Sequence, residues 1–235
     1  MKAMILAAGR GERMRPLTDS MPKPLLRVGG RPLIEYHIEA LARAGVDEIV
    51  INLAWQGVQI RETLGDGSSY GLLISYSDEG AEALETGGGI RHALPLLGPA
   101  PFWLVNGDVY CEFDYPARVL DDAIMVHLLM VPNPEHHPAG DFGLEGGRVL
   151  PRRGAVEGSA GQSGGMQTWT YSGISLLRPS LFAGCRKARF PLAPLLIAAM
   201  KQDAVTGETF DGRWVDAGTP ERLTALDDLL RSGQA

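Results

Sequence analysis

The chain has 235 residues, 45% of them hydrophobic and 21% charged, a composition that suits one ordinary globular α/β domain with ample length for a core. Its net charge of −6 gives no hint of the broad basic face of a nucleic-acid binder, so a pocket for anions has to gather its positive charge locally. Cys111 and Cys185 are the only cysteines and form no CxxC, which argues against a disulfide framework and fits two reduced thiols.

The apolar start at residues 1–9 is too short for a signal peptide, and no run is long enough to span a bilayer. The cytoplasm is the expected compartment. Residues 3–8 predict a short buried strand ended by Gly9 and Gly11. Leu33, Ile34, His37, Ile38, Leu41 and Ala44 recur at helical spacing, and Gly45 closes that helix. Strands are expected at 48–53, 72–76, 102–106 and 123–131, with a short helix at 58–64. This rhythm predicts a mostly parallel sheet with helices on both faces. Further on, residues 142–150 predict a hairpin turning at Gly146-Gly147, and 154–167 a glycine- and serine-rich mobile surface loop. A strand at 170–177 and helices at 192–200 and 221–230 follow. No repeat and no linker interrupts the chain, so one domain over 1–235 is expected.

The stretch Leu6-Ala7-Ala8-Gly9-Arg10-Gly11-Glu12-Arg13-Met14-Arg15-Pro16-Leu17-Thr18 places a glycine turn directly after a buried strand. Such a turn exposes backbone N–H groups that cradle anions. It is not a P-loop, because no GxxxxGK precedes a Ser or Thr. Nor is it a dinucleotide fingerprint: Met14 stands at the third glycine position, and the second strand ends at Asn52-Leu53 rather than at an acid. Soon after, Pro22 and Pro24 bracket Lys23, a backbone fixed around one cation. Asp108 closes an apolar strand through a glycine, where α/β sheets keep their ligands, and a carboxylate sharing a cation with phosphates describes a Mg²⁺ site.

The blocks Leu6–Arg13, Pro16–Thr18 and Pro22–Pro24 resemble the signature of sugar-1-phosphate nucleotidylyltransferases. The resemblance continues in Glu85-Thr-Gly-Gly-Gly-Ile90, Val105-Asn-Gly-Asp108 and residues 214–223, and so covers nearly the whole chain. Within that family, the LETGGG and VNGD segments, Gly140-Asp141-Phe142 and the compact length look most like the N-acetylmuramate α-1-phosphate uridylyltransferases of bacterial cell-wall recycling. The resemblance implies a Rossmann-like three-layer α/β/α sandwich with a mostly parallel mixed central sheet, of the nucleotide-diphospho-sugar transferase type. It further implies a nucleotide-binding part at about 1–115, a sugar-binding part at about 116–218 and a C-terminal helix at 219–231.

The implied reaction joins UTP to a sugar 1-phosphate without a covalent nucleophile, so alignment and charge neutralisation carry it. By resemblance, Arg13 and Lys23 meet the phosphates, and Ala7, Ala8, Gly9, Gly11 and Glu12 line the nucleotide. Gly88, within the glycine triplet 87–89, approaches the base, with a simple flexible turn as the plainer reading. Asn106 and Asp141 bind the sugar, and Asp108 and Asp216 hold Mg²⁺. From the sequence alone Asp216 could equally cap the next helix, although Thr219 suits that better. Arg15 reads equally well as a helper or a solvated side chain. Glu135-His136-His137 has zinc-ligand residue types, but adjacent histidines in a proline-rich loop seldom converge on one metal. Asp121-Asp122 and Asp227-Asp228 read as solvated faces.

The chain departs from the family pattern where a lysine usually meets the sugar phosphate, leaving Arg152, Arg153, Lys187 and Arg189 as candidates, also for a substrate carboxylate. A guanylyl- or cytidylyltransferase acting on another sugar phosphate is the alternative enzyme. A nucleotide-sensing regulatory domain is the non-catalytic one. A monomer without membrane or nucleic-acid partners is expected.

Overall fold

The computed structural model describes residues 1–152 and 166–233. The expected surface loop at 154–167 and candidate Arg153 therefore lie outside the described residues, apart from 166–167.

The centre of the sheet is β1 (Lys2–Leu6), between β4 (Glu48–Leu53) and β6 (Phe102–Asn106), with β5 (Leu73–Asp78) beyond β4; all four run parallel. Every β1 interior residue is apolar because both faces are covered. Ala3 and Ile5 join a cluster with Ile34, Ile38 and Leu41 of α1 (Leu33–Arg43) and Ile60 and Leu64 of α2 (Gly57–Leu64). Met4 faces the opposite cluster, built on Ile90, Ala93 and Leu97 of α3 (Glu85–Leu97) and Leu196 and Met200 of α4 (Ala193–Met200). The period-2 alternation of one strand thus joins two helical layers, giving the expected three-layer α/β/α fold.

Beyond β6 the sheet becomes antiparallel. β11 (Thr168–Leu177) pairs with both β6 and β8 (Val126–Val131), and β12 (Val205–Thr209) lies parallel to β8. The hairpin β9 (Phe142–Glu145) and β10 (Arg148–Pro151) turns at Gly146 and Gly147, both at positive φ, as its sequence demands. β9 also pairs with the start of β11. Two small ribbons flank the sheet: β2 (Arg27–Val28) with β3 (Arg31–Pro32), and β7 (Val109–Cys111) with β13 (Trp214–Asp216). The final helix α5 (Pro220–Arg231) is capped by Thr219, whose side chain accepts from the Arg222 N–H, so Asp216 is free of that duty. No helix among the described residues is long and apolar enough to cross a membrane.

The plainer reading of the glycine triplet, a simple flexible turn, is not what the chain adopts. Gly87, Gly88 and Gly89 lie in the first turns of α3. A Cβ at Gly87 would sit 2.5 Å from the Phe190 ring, one at Gly88 would strike the Ala188 carbonyl, and one at Gly89 the Glu79 carboxylate. Each glycine costs a helix about 1 kcal/mol relative to alanine, and here close backbone packing offsets that cost.

Candidate active site

The loop after β1 is held by its neighbours before any ligand is considered. Asn52, at the end of β4, accepts the Ala7 N–H at 2.8 Å and donates to Glu79 at 2.6 Å. Gly11 adopts φ +66°, and Thr18 Oγ1 donates to its carbonyl at 2.8 Å. Met14, the residue that spoils the dinucleotide fingerprint, is fully buried against Leu223 and Leu226 of α5 and fixes the far end of the loop. The result is a cavity of about 510 Å³. Its lining includes the expected Ala7, Ala8, Gly9, Gly11, Glu12, Arg13 and Lys23.

A second cavity of about 410 Å³ adjoins it, and Arg13, Asn106 and Asp108 line both. Gly107 brings Asp108 there: its N–H donates to the Leu6 carbonyl at 3.0 Å, and a Cβ would lie 2.5 Å from that oxygen. Lys23 starts a 3₁₀ turn bracketed by its prolines, with its side chain only 9% exposed. Its Nζ donates to Asp108 Oδ2 at 2.7 Å. Below them His37 is fully buried, and burial pushes its pKa down to about 4. The neutral ring donates from Nε2 to the Val109 carbonyl at 2.7 Å and accepts at Nδ1 from Tyr115 Oη at 3.1 Å. The ring therefore buttresses the strand that follows Asp108.

Asp216 enters the same cavity from β13, where it sits opposite Val109, and the Ala217 N–H donates to the Asp108 carbonyl at 3.1 Å. Residues far apart in sequence are thereby neighbours. Asp216 Oδ2 lies 3.1 Å from Arg222 Nη2 and 3.4 Å from His136 Nε2. Two hard carboxylates lining one cavity are ligand types that fit Mg²⁺, which takes the rest of its shell from phosphates and water. No group of three or more His, Cys, Asp or Glu side chains able to hold a metal alone occurs among the described residues.

The Gly88 N–H donates to the Phe190 carbonyl at 3.0 Å, and from the same segment Glu85 and Thr86 line the first cavity. Asp141 is tied to two residues that line the second cavity. One carboxylate oxygen accepts the Tyr171 N–H at 2.8 Å and the other meets His137 Nε2 at 3.0 Å. Arg189 turns to Glu85, and neither it, Arg152 nor Lys187 lines the second cavity. Arg15 is exposed and pairs with Asp19 at 3.2 Å. Asp227 is not merely solvated: it accepts the Gly29 N–H at 2.7 Å and pairs with Arg231.

Two residues escaped the sequence reading and two were set aside by it. Asn52 and Glu79 line the nucleotide cavity, and an amide ending a central strand beside a glycine turn was the available signal for Asn52. His136 and His137, weighed only as metal ligands, line the acceptor cavity together with Trp214, whose Nε1 donates to the Ser172 carbonyl at 2.8 Å.

The nucleotidyl transferase family matches residues 2–144. The N-acetylmuramate alpha-1-phosphate uridylyltransferase of Neisseria meningitidis serogroup B is 50% identical over 238 residues, covering 97% of this chain and 98% of the relative. The enzyme of the same name from Caulobacter vibrioides is 32% identical over 240 residues, covering 97% and 96%. Among solved structures, HddC from Yersinia pseudotuberculosis has a TM-score of 0.72 at 20% identity, covering 97% of this chain and 98% of that one, a likeness of fold alone. The signature loop, the two joined cavities and these relatives agree: the chain belongs to the nucleotidyl transferase family.

Proposed function

We propose that this chain transfers the uridylyl group of UTP to N-acetylmuramate α-1-phosphate, releasing pyrophosphate and UDP-N-acetylmuramate. The proposed setting is cytoplasmic peptidoglycan recycling, with the protein a monomer that requires Mg²⁺. The carrying observation is the pair of cavities that meet at Arg13, Asn106 and Asp108, one beside the glycine loop and one beside β11. The substrate pair follows the two full-length relatives named for it. In this reading residues 1–115 supply most of the nucleotide half and 116–218 most of the acceptor half.

The reaction is an in-line displacement. An acceptor phosphate oxygen bonds to the α-phosphorus as the bond to the pyrophosphate bridging oxygen breaks. No enzyme-bound intermediate is required. Both reactants are anions, so the chain contributes alignment and charge. Backbone N–H groups of the loop hold the triphosphate. Arg13, at the junction, draws charge onto the departing pyrophosphate through its planar fork. Lys23, fixed by its prolines and by Asp108, faces the α-phosphate. When bound by Asp108 and Asp216, Mg²⁺ supplies the remaining neutralisation between the two anions. At the acceptor end, His136, His137 and the 170–172 segment are the polar groups available to the sugar and its lactyl carboxylate. Donors that pair with that carboxylate discriminate against a sugar lacking it, which would leave them unpaired.

The test is pyrophosphate release across a panel of nucleotides and sugar phosphates. UTP with N-acetylmuramate α-1-phosphate should give the highest kcat/KM, and excess EDTA should abolish turnover. A higher value with N-acetylglucosamine 1-phosphate or mannose 1-phosphate would remove the sugar assignment. A higher value with GTP or CTP would remove the base assignment.

A further inference from the structure

Arg10, in the middle of the glycine loop, has no part in the scheme above. Its guanidinium carbon lies 3.4 Å from the centroid of the Trp55 ring, a flat stack on the indole face. Trp55 is itself held, with Nε1 donating to the Thr18 carbonyl at 3.3 Å. Arg10 lines the nucleotide cavity. Its Nη1 is buried without a hydrogen-bond partner, and it pairs with no carboxylate among the described residues. Of the acids around the same cavity, Glu79 is occupied by Asn52 and the Leu84 N–H, and Glu85 by Arg189.

A buried guanidinium nitrogen left unpartnered is unfavourable, so this resting position is not one that hydrogen bonding selects. The indole face holds the cation beside the cavity with little loss of its hydrogen-bonding capacity. A guanidinium with free donors matches phosphate oxygens two at a time. The loop that carries Arg10 also carries Arg13, which lines both cavities.

We propose that Arg10 is a second pyrophosphate-binding residue, stored on Trp55 and transferred to the β- and γ-phosphates when the nucleoside triphosphate enters. This rests on the cavity taking a nucleoside triphosphate and on neither the base nor the sugar. The ligand chemistry is that of a polyphosphate, so inorganic pyrophosphate with Mg²⁺ is the probe, used as a product inhibitor of the full chain. In Arg10→Met its inhibition constant should rise about tenfold or more, the loss of a charge-assisted bidentate contact. The affinity for the monophosphate of the preferred nucleoside, which lacks the β- and γ-phosphates, should stay within about twofold. Unchanged pyrophosphate inhibition, or an equal loss of monophosphate and pyrophosphate affinity, overturns the proposal.

If Arg10→Met fails to fold, the unmodified protein still decides. Pyrophosphate should change the Trp55 fluorescence as the cation leaves the ring, a change missing from Trp55→Phe; no such change overturns the proposal. Because pyrophosphate leaves every nucleoside triphosphate alike, a different preferred base would spare this result. An unmodified protein that pyrophosphate does not inhibit would instead sink the reaction class itself.

Discussion

The two halves of the cleft are assembled differently. The nucleotide side is built around one long contiguous run, residues 6–14, issuing from the central strand of the parallel sheet and tied down by Asn52 and Thr18. The acceptor side draws on residues 106–108, 136–137, 170–172 and 214–216, brought together by antiparallel pairing and single side-chain ties such as Asp141 to Tyr171. A phosphate cradle needs only backbone N–H groups in a fixed turn, which a short motif can encode. Recognition of a particular acceptor needs side chains from several directions, which only the completed fold provides.

The largest effect should come from the junction of the halves. Asp108→Ala, Asp216→Ala or Lys23→Ala should lower kcat at least about a thousandfold, with circular dichroism and Tm nearly unchanged, since charge placed at the reacting centre carries the reaction. A loss below tenfold would show that the halves meet elsewhere. Next is the buttress beneath that junction. Burial lowers the pKa of His37 from 6.5 to about 4, so between these values the unfolded chain binds a proton that the folded chain refuses. Stability should therefore fall as pH drops from 6.5 towards 4, by up to about 3 kcal/mol, and thermal melts of the protein against His37→Gln check it.

A smaller effect separates the nucleotide side. Gly88→Ala pushes a methyl group towards the Ala188 carbonyl. It should cost about 1–3 kcal/mol in urea unfolding and raise KM for the nucleotide while sparing KM for the sugar phosphate. The converse, and the smallest change, is Asp141→Ala, which frees the Tyr171 N–H. KM for the sugar phosphate should rise about three- to tenfold and KM for the nucleotide should hold, because the ties of Asp141 to the Tyr171 N–H and to His137 are lost on the acceptor side only. Equal changes in both constants for either variant would break the division.

That division also governs what the sequence reveals. The parallel strands and α1 are legible because apolar runs and helical spacing report double-sided burial directly. Arg13, Lys23 and Asp108 are legible because glycine and proline punctuation marks the backbone that presents them. The start of α3 is not, since three glycines read locally as a turn and only contact with the 188–190 segment makes helix the better state. Strands β7 and β13, three residues each, are too short to show a period, and each exists because the other does. Asp141 shows the same limit: an acid before a strand looks alike whether it faces a ligand or a backbone N–H.

The burial of Met14 under α5 carries a temporal consequence. The phosphate loop leaves the ribosome early, but Leu223 and Leu226, which cover Met14, and Asp227, which grips Gly29, are translated long after it. A nascent chain halted before residue 220 already displays the whole signature motif, with Leu26, Val28, Leu33 and Tyr110 to pack on Met14 but without Leu223 and Leu226. The support of the phosphate loop is therefore finished only when the last helix has been made.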